Sequence, residues 1–245
     1  MTGMQINIKN KTYTTADSQK NTAISNLNLK LNKNQFICLV GPSGCGKTTL
    51  LNIIANLDND YEGEIRLDKP QSLPTIGYIF QNPRLLPWRT VRENIELVLN
   101  NHQSRKYIDS LLKSMQLTEH QHAYPEHLSL GMSRRVSIIR AFAVNPDILL
   151  MDEPFVSLDS PTARQVRDSL LKLWQQRPHT ILFVTHDLRE AITLADRLVF
   201  LSTSPMSVIS EIDVTIPRKE RNNEDAIEHF RQQLLNEHPD IKTLL

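Results

Sequence analysis

The densest chemistry in this 245-residue chain lies in eight residues, 41-GPSGCGKT-48. They fit the pattern glycine, four residues, glycine, lysine, serine or threonine, between a buried strand run and a helical run. Glycines there let backbone N–H groups turn inward around phosphate oxygens, and the dipole of the following helix adds partial positive charge. Lys47 is expected to reach β- and γ-phosphates and Thr48 to ligate Mg²⁺. The chain has only seven glycines, and three of them fall here. The candidate phosphate-binding residues are Gly41, Pro42, Ser43, Gly44, Cys45, Gly46, Lys47, Thr48 and Thr49.

A second group supplies carboxylates. In 148-ILLMDE-153 an apolar strand delivers Asp152 at its C-terminal end, where open α/β sheets bind ligands. Asp152 is expected to hold Mg²⁺ through water, and Glu153 to polarise an attacking water, the arrangement of a hydrolase. The plainer alternative is an acidic cap on the helix that follows. A third group is 128-LSLGMSRRVSIIRA-141, with Ser129 as an N-cap and Gly131 in the first helical turn. Glycine is a poor helix former, so its presence suggests close approach of an anion to the helix N-terminus.

These groups need a scaffold. The segments 4–9 and 24–31 alternate apolar and polar residues like half-buried strands, whereas 35–40 is continuously apolar and reads as buried on both faces. A helix is expected over 47–57, strands at 63–67 and 76–80, and helical patterns from 84 to 144. Further strands are expected at 147–151, 180–184, 197–201 and 207–212. A helix capped by Ser160-Pro161 should run to Trp174, and another should follow Asp187. Such alternation predicts an α/β fold: a P-loop NTPase core with a mixed or parallel sheet, an N-terminal antiparallel β region and an inserted α-helical subdomain. One domain is expected, its core at 1–83 and 146–213, its helical subdomain at 84–145 and a helical tail at 214–245.

The formal net charge of +1 gives no electrostatic case for nucleic acid. Cys38 and Cys45 cannot form a disulfide framework, which fits a reducing, cytoplasmic setting. Neither a signal-peptide core nor a run of about 18 apolar residues is found, so a membrane role would require attachment to another protein.

From end to end the chain resembles the ATP-binding-cassette (ABC) ATPases. 128-LSLGM-132 stands where that family usually has Leu-Ser-Gly-Gly-Gln. The resemblance implies a head-to-tail, ATP-dependent homodimer in which Ser129 and Gly131 address the γ-phosphate of ATP held in the partner's phosphate loop. It further implies that Tyr13, 28 residues before Gly41, stacks on adenine, and that Gln81 in 79-IFQNP-83 senses Mg²⁺, the attacking water and a permease. Asp159 in 157-SLD-159 would cross to the partner site, and His186 in 184-VTHD-187 would contact the γ-phosphate. The stretches 80–95 and 132–159 are most similar to the ATPases of nitrate, sulfonate and taurine importers. Met132 is usual in that group. Leu130 departs from the family, replacing the first signature glycine, and is expected to pack sideways with about half its area buried while Ser129 and Gly131 still donate.

The implied setting is the inner face of the cell membrane, through a transmembrane permease subunit and indirectly a solute-binding protein. Residues 82-NPRLLPWRT-90 would be the docking surface, presenting Leu85, Leu86 and Trp88, unless Trp88 folds back onto the helical subdomain. A cassette exporter and a non-transport cassette ATPase are the alternatives. The histidines in 119-EHQHAYPEH-127 lack the i, i+4 pairing of zinc enzymes and do not suggest a metal site.

Overall fold

The computed structural model describes residues 3–14, 20–68, 73–99, 105–242 and 244. They form two compact units, one from Met1–Leu73 with Thr180–Leu245 and the other from Pro74–His179.

The first unit contains two sheet regions. Strand β1 (Met4–Thr14) pairs antiparallel with β2 (Lys20–Leu31) on one side and β4 (Glu62–Leu67) on the other. Met4, Ile6 and Ile8 point inward while Gln5 is exposed, so alternation is resolved into an inner and an outer face. The second region is mixed, parallel but for one edge strand. β3 (Phe36–Val40) lies between β7 (Thr180–Thr185) and β8 (Arg197–Leu201), and β9 (Val208–Asp213) closes the edge antiparallel to β8. All of β3 and β7 is buried, which is why 35–40 and 180–184 read as unbroken apolar runs.

Helix α1 (Lys47–Ile54) follows the phosphate loop and buries Leu50, Leu51, Ile53 and Ile54. It stops before the expected Leu57. Asn56 adopts a left-handed φ of 58°, and the carbonyl of Asn52 accepts from the N–H groups of both Leu57 and Asp58. An asparagine in that conformation ends a helix much as glycine does.

Beyond β9 the chain is fastened by Arg221. Its guanidinium, 6% exposed, donates to the carbonyls of Ala195, Val214 and Ile216. Burial and the neighbouring Arg218 push it down to about 10. Helices α6 (Leu188–Leu194) and α7 (Glu224–Glu237) are joined by Arg189 and Glu228 at 2.5 Å, and a short α8 (Pro239–Lys242) ends the tail.

Among the described residues the second unit holds the parallel pair β5 (Ile76–Ile79) and β6 (Ile148–Asp152) with the α-helices α2 (Val91–Glu96), α3 (Arg105–Ser114), α4 (Leu130–Ala143) and α5 (Ser160–Gln176). The helical stretch expected at 84–145 lies within it. Thr90 and Glu93 form a reciprocal capping box at α2. The cap of α5 is Asp159, not Ser160: the Asp159 carboxylate accepts from the Thr162 N–H at 3.1 Å, and Ser160-Pro161 forms the first turn. The carboxylate also complements the partial positive charge of the helix N-terminus.

Candidate active site

In the first unit, the carboxyl end of β3 leads into the phosphate loop. Gly46 caps α1 with φ 118°, a left-handed backbone, and a Cβ there would stand 3.2 Å from the Ala23 carbonyl. No other residue fits without strain. Lys47 is only 6% exposed, and its ammonium donates to the carbonyls of Gly41 at 2.8 Å and Pro42 at 2.7 Å. The loop thus carries its own cation at its centre. Ser43, Gly44 and Thr48 are exposed around it; Gly41 and Cys45 are buried, and Pro42 and Thr49 lie between these extremes. Burial pushes the Cys45 thiol up, against the pull of Lys47.

Tyr13 is 43% exposed near the end of β1, and it is tied to the loop's helix. Its hydroxyl lies 3.2 Å from both Thr49 Oγ1 and Asp58 Oδ2, and Lys11 sits 4.6 Å from its ring centroid. Lys11 pairs with Asp58 at 2.9 Å while itself 2% exposed. Burial alone would raise the Asp58 carboxyl; hydrogen bonds from Lys11 and the Asp60 N–H outweigh that and hold it low. His186 is exposed in the same unit, at the end of β7, directly before Asp187, the N-cap of α6.

In the second unit, Asp152 is the last residue of β6 and 5% exposed. Burial, and then the charge of Asp152, push the Tyr78 phenol up. Glu153 follows with φ 44°, a conformation unusual outside glycine and concentrated at functional sites. Gln81, 72 residues earlier, donates from Nε2 to Glu153 Oε2 at 3.2 Å. That leaves the Gln81 carbonyl oxygen for another partner. Asp152 and Gln81 each present oxygen atoms, the ligand type that suits Mg²⁺.

Ser129 caps α4, accepting from the Met132 N–H at 3.2 Å, and Leu130 is 44% exposed, close to the half burial expected. Gly131 has a reason that its sequence context does not disclose. A Cβ there would lie 2.6 Å from Thr162 Cγ2, so helix α5 occupies the space a side chain would need. Asp159 and Gly131 are in this way brought to one neighbourhood through Thr162.

Two arginines of α4 were not anticipated. Arg134, 3% exposed, donates to the carbonyls of Phe80 at 3.2 Å and Val156 at 3.5 Å. Arg140 donates to those of Pro83 and Arg84 at 2.8 and 2.9 Å. Together they hold the segments around Gln81 and after Glu153. The available signal was a charge at 134 within an otherwise buried helix face. Trp88, by contrast, is 68% exposed on a loop that buried Asn94 organises through the carbonyls of Leu86, Arg89 and Thr90.

A comparison with protein families finds the ABC transporter family across residues 24–156. The chain belongs to that family. Among curated ABC proteins it is similar to the aliphatic sulfonates import ATP-binding protein of Bacillus cereus, 40% identical over 221 residues that cover 87% of each chain. The nitrate import ATP-binding protein of Synechococcus elongatus is 38% identical over 215 residues, 84% of this chain and 78% of its own. Among solved structures, a dimeric ATP-binding cassette in a post-hydrolysis state bound to ADP and Pi matches with a TM-score of 0.75 at 31% identity. The match covers 87% of this chain and 100% of that one. The fold is accordingly the α/β P-loop NTPase fold of ABC cassettes.

Proposed function

We propose that this chain is the ATP-hydrolysing subunit of an ABC importer for a small anion of the nitrate, sulfonate or taurine type. The hydrogen bond between Gln81 and Glu153 carries the reading, because it joins the residue expected to polarise water to the residue expected to sense metal and permease. Gly41 to Thr49 cradle the phosphates, Tyr13 stacks on adenine, and Lys47 supplies the compensating charge. Thr48, Asp152 and Gln81 would hold Mg²⁺, which when bound neutralises phosphate charge. Glu153 accepts the proton of the attacking water, and His186 contacts the γ-phosphate. Ser129, Gly131 and Asp159 serve the nucleotide of a second copy in a head-to-tail homodimer. In domain terms, 84–145 is the signature subdomain of a core formed by 1–83 and 146–213, with 214–245 as a tail.

Support for import comes from the names of the similar proteins. An exporter or non-transport ATPase has no such support. Among the described residues no helix is long and apolar enough to cross a membrane. Contact with the membrane would run through a permease docked on Leu85, Leu86 and Trp88.

The test is Glu153→Gln. It should keep ATP binding and lower turnover by about 10²–10⁴, the range for a positioned acid or base. Gel filtration with ATP should then show a dimer. A variant that stays monomeric with ATP bound would overturn the head-to-tail arrangement.

A further inference from the structure

His186 stands between two residues that are tied to each other and to a third. The Thr185 hydroxyl donates to Glu190 Oε2 at 2.6 Å and accepts from the Asp187 N–H at 3.1 Å. Asp187 Oδ1 accepts in turn from the Glu190 N–H at 3.2 Å and the Arg189 N–H at 2.8 Å. The hydrogen bonds close a circuit, Thr185 to Glu190 to Asp187 and back to Thr185, and His186 lies inside that turn. Thr185 is 3% and Glu190 8% exposed, whereas His186 is exposed. Burial, and then the charge of Glu190, push the Cys38 thiol of β3 well up.

A carboxylate three residues into a helix ordinarily accepts from the N-cap N–H itself, closing a capping box. Asp187 is the N-cap of α6, so Glu190 holds that third position. Here the Asp187 N–H donates to Thr185, and Glu190 accepts from the Thr185 hydroxyl. The interposed hydroxyl gains nothing for the helix, since Asp187 already accepts from two of its first N–H groups. What it adds is a tether from the helix back to the last residue of β7. That tether fixes the backbone on both sides of residue 186 and hence the direction in which the imidazole leaves the turn. Burying a carboxylate is costly unless its oxygens are satisfied, so the arrangement is held by the energy of desolvation as well as by geometry.

We propose that Glu190 is a positioning residue for His186, acting through the hydroxyl of Thr185. The inference rests on the reading of His186 as a γ-phosphate contact. It places an extra determinant of hydrolysis at a buried position outside the nucleotide-contacting residues.

The test is a double-mutant cycle on ATP hydrolysis by the full chain. Glu190→Ala should lower kcat about tenfold, within the coupling expected for members of one hydrogen-bond network, with KM for ATP changed less than about twofold. On a His186→Ala background the same change should lower kcat less than about twofold. Glu190→Gln, whose amide oxygen can still accept from Thr185, should recover most of the loss. Should Glu190→Ala fail to fold, Thr185→Val removes the same tether and should show the same dependence on His186. Equal losses in both backgrounds would make Glu190 a general support and overturn the inference while leaving the role of His186 intact. If His186→Ala alone leaves kcat unchanged, the assignment of His186 falls, and its positioning residue with it.

Discussion

The phosphate loop and the segments around Gln81 and Glu153 are held by opposite means. The loop is local. Its glycine cap, its lysine and the two carbonyls that hold that lysine all lie within residues 41–47. The second-unit segments are held from afar, by Arg134 reaching 54 residues back to Phe80 and 22 forward to Val156, and by Arg140 reaching back to Pro83 and Arg84. A local device is a property of the segment and survives changes elsewhere. A remote clamp makes the position of Gln81 depend on the integrity of α4. The contrast suits two tasks: binding needs a standing cradle, whereas a segment that senses several partners benefits from a hold that can be adjusted.

The largest effect should come from the local device. Lys47→Ala removes a charge-assisted donor from the phosphates and should weaken ATP binding at least about 100-fold, some 2.7 kcal/mol, by titration calorimetry. Unchanged affinity would break the comparison at its first term.

Arg134→Met comes next. It leaves the Phe80 and Val156 carbonyls without their donor and should cost about 2 kcal/mol of stability in chemical denaturation. ATP affinity should change less than about threefold, because the loop does not depend on that clamp. A parallel fall in affinity would show that the two regions are not held independently.

The smallest effect concerns His179. Burial depresses this imidazole below its ordinary value, its Nδ1 faces the Arg177 carbonyl, and its Nε2 is buried with no hydrogen-bond partner. The unfolded chain therefore binds a proton that the folded chain refuses. Stability should be full above about pH 6.5 and decline as pH falls below it, by at most about 1.4 kcal/mol per pH unit. His179→Gln should flatten that slope between about pH 6.5 and 5.5, while ATP affinity keeps its own pH profile. An unaltered slope would assign the acid sensitivity to other groups.

Legibility in the sequence follows the same division. The phosphate loop could be read because glycine, lysine and threonine are contiguous and their spacing is itself the chemistry. β3 and β6 could be read because strands buried on both faces leave unbroken apolar runs. The partners of Arg134 could not be read, since they are main-chain carbonyls, which every residue possesses and no residue type advertises. Gly131 was visible as an anomaly but its cause was not: the obstacle is Thr162, on a helix that begins 29 residues later. Asp159 and Ser160 are both good caps, and only the hydrogen bond to the Thr162 N–H distinguishes them. The end of α1 was overrun because Asn56 is an ordinary polar residue in sequence and a left-handed terminator in space.

The bolt formed by Arg221 bears on how the chain can change length. Its three carbonyl partners lie at 195, 214 and 216, so the crossing from β9 to the tail is measured to the residue. An insertion or deletion between 214 and 221 would either withdraw the guanidinium or leave those carbonyls buried and unmatched. After α7 the chain is held by apolar packing, Ile241 of α8 being 1% exposed, and such a contact sets the residue count less strictly than three hydrogen bonds do. A change of length between α7 and α8 should therefore be tolerated more readily than one in the path from β9 to Arg221.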